Sequence, residues 1–189
     1  MRRPDIAGGV VGGVDWSRWS VVLLKPDCVR RDLCDTVLQR IATGADVEIS
    51  AHEIVTVADW QIHVHYWDLL VDADWFAPLD VPAALRASWI GQRAGIALAR
   101  GTHGDTTARI RALLGHYDPA VADPYSIRGA LGVDSEDKAR AEGRLIENLV
   151  HTSDDPAATC RDFGTWYGAA RHDLLQDLNR THDEVETLS

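Results

Sequence analysis

Apolar and polar positions follow one another in blocks along this chain, and four of the blocks have the pattern of β-strands. The run WSVVLLKPD (19–27) stays apolar until Lys25 and is stopped by a proline, which is typical of a buried strand. The run VEISAHEIVTV (47–57) alternates and then shifts phase, which predicts a strand with a local irregularity. AGIALARG (94–101) and NLVH (148–151) supply the third and fourth strands.

Between the strands, apolar residues recur at helical spacing. The first predicted helix begins at Asp32 and is closed by Gly44, because aspartate caps helix starts and glycine favours helix ends. Further predicted helices cover residues 59–70, 80–89, 104–115 and about 154–167. This order predicts an α/β (α+β) fold, a ferredoxin-like split βαβ sandwich in which helices cover an antiparallel four-stranded sheet.

Composition narrows the class of protein. The chain has 189 residues, enough for one domain with a proper core, and a formal net charge of −10, which argues against nucleic-acid and anionic-membrane partners. A polyphosphate ligand would therefore need several cations gathered at one place. The three cysteines form no paired motif, and no apolar run reaches membrane-spanning length, so we expect a soluble cytoplasmic protein.

Residues 147–156, ENLVHTSDDP, place His151 at the end of the fourth predicted strand, directly before a helix start. One interpretation is that His151 only caps the strand or fills a gap under a turn. The other is that it is a nucleophile directed at an anion, because neutral imidazole is nucleophilic near neutral pH. A glycine-rich phosphate-binding loop and a histidine metal site have little support in the sequence. The stretch GGVVGGVD lacks the lysine of a phosphate-binding loop, and His63 and His65 would point to different faces of a helix.

Five separated segments nevertheless form a recognisable set because of their order and spacing. They are LLKPDCVRRDL (23–33), HYWDL (65–69), RALLGHYDP (111–119), YSIRG (125–129) and ENLVHTSDDPAATCRDFGTW (147–166). Together they resemble the nucleoside diphosphate kinase family over roughly residues 19–167. We accordingly expect a family-like domain over 18–168, in which 129–147 is an insertion relative to the family. A flexible leader over 1–17 and a polar helix or tail over 169–189 would lie outside it.

The resemblance implies a phosphotransferase that moves the γ-phosphoryl group of a nucleoside triphosphate to a nucleoside diphosphate through a phosphohistidine. The matching histidine is His151. The family's supporting glutamate falls at Asp162, with Ser153 between them, and the shorter aspartate would support His151 through Ser153 or a water. The family also implies a homo-oligomer, at least a dimer, with nucleoside di- and triphosphates as partners and no nucleic acid or membrane.

The nucleotide site implied by the resemblance contains cations, donors and one stacking aromatic. Trp75 matches the aromatic on which the base stacks, which would hold any base without reading its edge. Mg²⁺ would be bound through the nucleotide phosphates, with no protein ligands to the metal. The residues assigned to the phosphates and ribose are Lys25, Tyr66, Arg111, Tyr117, Arg128 and Asn148. Taken singly, each of these is more commonly a surface charge or a core aromatic.

The chain departs from the family pattern around the substrate. Tyr117 stands where the family has a threonine, Ala73 where it has an arginine beside the base, and Cys28 where it has a glycine. We therefore expect a working histidine with altered nucleotide selectivity. The alternatives are the same chemistry on a specialised phosphorylated acceptor, or a catalytically degenerate module that binds nucleotide or a protein partner.

Overall fold

The computed structural model describes residues 10–71 and 79–175, and its backbone is built on one main sheet. Six strands occur in this part of the chain: β1 (Val10–Val11), β2 (Val14–Asp15), β3 (Trp19–Leu24), β4 (Val47–Thr56), β5 (Arg93–Gly101) and β6 (Val150–Thr152). The last four form an antiparallel sheet in the order β4-β5-β3-β6. The predicted ferredoxin-like topology is confirmed, and the phase shift in β4 is a register change between Ile49 and Ala51.

Nine α-helices connect and cover these strands within the described residues. They are α1 (Pro26–Arg30), α2 (Cys34–Ala45), α3 (Asp59–His65), α4 (Trp67–Val71), α5 (Val81–Trp89), α6 (Thr106–Leu114), α7 (Ile127–Leu131), α8 (Glu136–Ala141) and α9 (Pro156–Trp166). Two 3₁₀ turns, Trp16–Arg18 and Ala169–Leu175, flank the domain. None of the helices in these ranges is long and apolar enough to cross a membrane.

Several predicted helix ends need correction. Asp32 does not cap α2, because it has a left-handed backbone with φ of 54° and the N-cap is Leu33. Gly44 lies inside α2, and Asp46 provides the left-handed C-cap instead. Gly44 packs closely against α6, since a Cβ there would come within 2.9 Å of a terminal methyl of Leu113, which would have to shift. Turn propensity alone cannot distinguish these two uses of glycine.

The sheet separates two apolar layers, because successive residues of a strand face opposite sides. Val21 and Leu23 of β3 pack in one layer with α5 and α9, and Val22 and Leu24 pack in the other with α2 and α6. All six residues of β3 are buried, as expected for a strand covered on both faces. The strand that carries Lys25 at its end is therefore fixed from both sides.

The expected flexible leader is wrong for residues 10–17. Strands β1 and β2 form a short hairpin, and Trp16, only 3% exposed, packs against Phe163 in the core. A buried tryptophan stabilises a domain by several kcal/mol, or roughly 25 cal/mol per Å² of apolar surface removed from water. Trp75 and Ala73 lie outside the described residues, as does the tail beyond residue 175.

Candidate active site

The strand segment before His151 is sharply bent. Leu149 is fully buried and has φ of 69°, a left-handed conformation that costs a branched residue about 1 kcal/mol or more. Two hydrogen bonds hold it there: the Leu149 amide donates to Asp27 Oδ2 at 2.9 Å, and its carbonyl accepts from the Lys25 amide at 2.8 Å. His151 then pairs opposite Leu23 in the sheet. The bend thus connects the end of β3 to the start of β6.

Lys25 lies at this junction, where the sequence predicted a cation. Its ammonium donates to the carbonyl of Ile146 at 2.8 Å and to Asn148 Oδ1 at 2.9 Å. Burial lowers the pKa of Lys25 to about 8, and the neighbouring carboxylate of Asp27 opposes that effect. Lys25 is therefore mostly protonated at neutral pH but loses its charge far earlier than an exposed lysine.

Asn148 and Arg128 also belong to the candidate site, and backbone carbonyls hold both side chains in place. Asn148 Nδ2 donates to the Tyr117 carbonyl at 2.7 Å, while Arg128 donates to the carbonyls of Gly115 and Val150 at 3.0 and 2.8 Å. Burial and the charge of Arg111 lower the pKa of Arg128 to about 10, so the group remains cationic at neutral pH. Arg128 Nε is buried and has no hydrogen-bond partner.

Two further predicted residues are engaged by neighbouring carboxylates. Arg111 forms an exposed ion pair with Asp154, and the hydroxyl of Tyr117 donates to Glu136 of α8. Helix α8 lies in the segment 129–147 that the sequence set apart as an insertion. Tyr117, which is 48% exposed, therefore links the predicted phosphate region to this insertion.

His151 is neutral at physiological pH. Burial holds the pKa of His151 well below 6.5, Arg128 and Lys25 act in the same direction, and the carboxylate of Asp162 opposes them. Tyr66 lies against it, with ring centroids 6.0 Å apart. A neutral imidazole has a free nitrogen lone pair, so His151 can act as a nucleophile without a base to deprotonate it.

The supporting groups behind His151 differ from the prediction. Ser153 donates to Asp162 Oδ2 at 2.7 Å, and Asp162 Oδ1 lies 3.1 Å from Nδ1 of His65. Burial alone would raise the pKa of Asp162, but the hydrogen bonds from His65 and Ser153 outweigh it and lower that pKa. In the sequence, His65 was weighed as half of a metal pair and stood in the family-like segment HYWDL, but it was given no role in the site. Nothing in one sequence indicates that α3 and α9 would bring it to Asp162.

A cavity of about 310 Å³ opens beside Lys25 and is lined in part by Asp27, Trp89 and Arg144. The Lys25 ammonium lies 6.0 Å from the centre of the Trp89 ring, which also contacts Tyr66. Within residues 10–71 and 79–175, no group of three histidine, cysteine or acidic side chains is arranged to hold a metal ion. The arrangement is thus a nucleophile with cations beside it.

This combination defines a class: a ferredoxin-like α/β domain with a neutral, buried histidine and neighbouring cations, suited to phosphoryl transfer. A family model for nucleoside diphosphate kinase matches residues 19–171. The nucleoside diphosphate kinase of Streptomyces coelicolor is 32% identical over 149 residues, covering 78% of this chain and 94% of that protein.

Solved structures agree. An NDP kinase from Pyrobaculum aerophilum is 25% identical and superimposes with a TM-score of 0.66, covering 85% of this chain and 99% of that one. A nucleoside-diphosphate kinase from Borrelia burgdorferi, with bound vanadate and ADP, has a TM-score of 0.74 at 24% identity, covering 89% and 95%. The chain belongs to the nucleoside diphosphate kinase family and is a phosphotransferase.

Proposed function

We propose that the protein transfers the γ-phosphoryl group of a nucleoside triphosphate to a nucleoside diphosphate through a phosphohistidine at His151. The observation that carries the proposal is the neutral imidazole of His151 in the middle of β6, with Lys25 and Arg128 among the charges acting on it. A nucleophile that needs no base and lies beside fixed cations suits a reaction whose catalysis is mainly positioning and charge stabilisation.

In the first half-reaction a ring nitrogen of His151 attacks the γ-phosphorus. The N–P bond forms as the bond between phosphorus and the bridging oxygen breaks, and the electron pair leaves with the nucleoside diphosphate. The second half-reaction reverses these steps with another diphosphate as acceptor, which gives ping-pong kinetics. No covalent change is required of any other side chain.

The cations stabilise the charge that moves during transfer. Lys25 is already oriented by the Ile146 carbonyl and by Asn148. Arg128 is held beside the nucleophile by its bond to the carbonyl of Val150, the residue before His151. Arg111 would exchange Asp154 for a phosphate, an inexpensive step because exposed ion pairs contribute only about 0–1 kcal/mol. The three cations overcome, at one point, the repulsion expected from a chain of net charge −10.

Mg²⁺ would enter the site bound to the nucleotide. It would be held by phosphate oxygens and would neutralise their charge, since Mg²⁺ commonly binds through substrate phosphates and waters. Trp75 would stack on the base. We also propose that the protein acts in the cytoplasm as a homo-oligomer, at least a dimer.

The selectivity of the enzyme is proposed to differ from that of a general nucleoside diphosphate kinase. The supporting observation is the contact between Tyr117 and Glu136, which places an acidic residue of the insertion beside a predicted phosphate contact. A carboxylate near that position disfavours a ligand with additional negative charge. The departure at Tyr117, where the family has a threonine, supports a second candidate: transfer to a specialised phosphorylated acceptor.

The experiment is the intact-protein mass after brief incubation with ATP and Mg²⁺, for the wild type and for His151→Ala. We expect an acid-labile phosphoryl adduct on the wild type that is absent from the variant. Profiling of nucleoside diphosphates and other phosphorylated acceptors then distinguishes the two candidates. A wild type that binds ATP but gains no mass would contradict both and would support a nucleotide-binding module without turnover.

A further inference from the structure

His65 is a buried histidine with one ring nitrogen fully occupied and the other without a partner. Its Nδ1 lies 3.1 Å from Asp162 Oδ1 and 3.3 Å from the indole nitrogen of Trp166. Its Nε2 is buried and has no hydrogen-bond partner. A buried polar atom without a partner costs about 1–3 kcal/mol, so its presence calls for an explanation.

The charge of Asp162 determines which nitrogen of His65 carries the proton. The carboxylate is ionised at neutral pH and can only accept, and it is closer to Nδ1 than the Trp166 donor is. In a neutral His65 whose proton is on Nδ1, that N–H donates to Asp162, and the 3.3 Å contact from the Trp166 indole N–H to the same nitrogen is then not a hydrogen bond. Nε2 is left with a lone pair that nothing else in the described structure uses.

His151 is the neighbour that can use this lone pair. The two imidazole rings meet edge to face, with centroids 4.9 Å apart and planes at 89°. An N–H···N hydrogen bond of ~2.9 Å between two imidazoles needs centroids roughly 5 Å apart, which matches this separation; the edge-to-face rings must reorient for their nitrogens to meet.

The reaction supplies the proton for such a bond. Once one nitrogen of His151 has formed the N–P bond, the ring is cationic and the proton on its other nitrogen becomes a stronger donor. We propose that His65 is a positioning residue for His151: its Nε2 accepts this N–H while His151 carries the phosphoryl group, and Asp162 holds His65 in the required tautomer. The proton stays on His151 throughout, and the bond is released when the phosphoryl group leaves.

This inference rests on the proposed function and goes beyond it, because it assigns the support of the nucleophile to a second imidazole. Aspartate is one methylene shorter than the family's glutamate. In this structure the two carboxylate oxygens of Asp162 contact Ser153 and His65. Asp162 thus acts on His151 through His65.

The test compares His65→Gln, whose amide oxygen can accept a hydrogen bond, with His65→Phe, which keeps a ring but has no acceptor. His63→Phe, on the same helix, is the matched control. Single-turnover phosphorylation of His151 by ATP and Mg²⁺ and the Kd for ADP are measured for each. We expect His65→Phe to lower the phosphorylation rate about 100-fold with ADP affinity unchanged, His65→Gln to lower it no more than roughly tenfold, and the control to match wild type.

A second readout does not depend on turnover. Nitrogen-15 NMR of the imidazoles should show His65 protonated at Nδ1 in the wild type and a mixture of tautomers in Asp162→Asn. Equal rates for His65→Phe and wild type would overturn the inference, as would equal losses in both His65 variants with folds intact by thermal unfolding. A wild type that is never phosphorylated contradicts the proposed function instead, and this inference with it.

Discussion

At the scale of single residues, burial is what converts ordinary side chains into reactive ones. It lowers the pKa of Lys25 to about 8 and keeps His151 neutral. Neighbouring charges then act on the pKa values of both residues. Sequence reasoning identified both residues from the run before Lys25 and the strand end at His151. It could not identify His65 or Asp27, because their roles come from contacts 97 and 122 positions away in the chain.

The two pKa shifts predict a broad pH plateau for kcat/KM, which reports the free enzyme. The acid limb lies well below pH 6.5, where His151 becomes protonated, and the alkaline limb lies near pH 8, where Lys25 loses its charge. Activity is therefore lost as pH rises through about 8. In Lys25→Arg the alkaline limb should disappear, because arginine keeps its charge; in Lys138→Arg, on the exposed helix α8, it should remain.

Asp27 holds the bend before His151, and its removal should affect both stability and rate. Asp27→Ala leaves the buried amide of Leu149 without an acceptor, so we expect the free energy of unfolding to fall by roughly 1–3 kcal/mol. Urea unfolding measures this loss, and single-turnover phosphorylation should slow in the fraction that remains folded. Unchanged values of both quantities would show that the bend needs no support from Asp27.

At the scale of elements, residues 129–147, which the sequence predicts to be an insertion relative to the family, are anchored by ion pairs and hydrogen bonds. Arg144 makes a two-pronged pair with Asp134, which also accepts from the Glu147 amide at 2.9 Å, directly before Asn148. The sequence set this segment apart only as a predicted insertion. Which charges pair could not be predicted, because many acidic and basic residues lie within a few positions of each other.

The pair between Arg144 and Asp134 predicts that the stability of the protein depends on pH. The hydrogen bonds from Arg144 lower the pKa of Asp134 to about 2, so its contribution is complete above the ordinary value of 3.8 and is lost as pH falls toward 2. Asp134→Asn should destabilise the protein by about 2 kcal/mol at pH 7 and by much less near pH 2. Urea unfolding of both proteins at each pH measures the difference; a constant difference would contradict the assignment.

Alanine substitutions at two helical glycines are expected to have opposite effects on stability. Gly129 of α7 faces the backbone carbonyl of Asp123 so closely that a Cβ would collide with it, whereas a Cβ on Gly164 of α9 meets nothing within 4 Å. Gly129→Ala should therefore cost more than about 2 kcal/mol, and Gly164→Ala should stabilise by about 0.5–1 kcal/mol because alanine favours helices. Thermal unfolding compares the two directly, and a shift of the same sign in both would be inconsistent with this packing.

At the scale of the whole molecule, the pattern of apolar positions determined most of the fold. The four strands of the main sheet, their irregularity in β4 and the helix ended by Gly115 were all predictable, because burial imposes a period on each element. The order of strands followed from the general rules of such sandwiches. What escaped prediction was the N-terminal hairpin, where the glycine-rich residues 8–13 suggested flexibility although Trp16 is buried just beyond them.

The acidic chain and its cationic site together predict an unusual salt dependence of nucleotide binding. A net charge of −10 repels an anionic nucleotide at long range, while Lys25, Arg111 and Arg128 attract it at contact. The Debye length shrinks from about 30 Å at 0.01 M salt to about 10 Å at 0.1 M, so salt screens the distant repulsion before the close attraction. The association rate of a fluorescent ADP in stopped flow should therefore rise over this range. The dissociation rate should rise as well, because the contacts weaken. An association rate that falls steadily from the lowest salt would mean that the local cations dominate the field even at a distance.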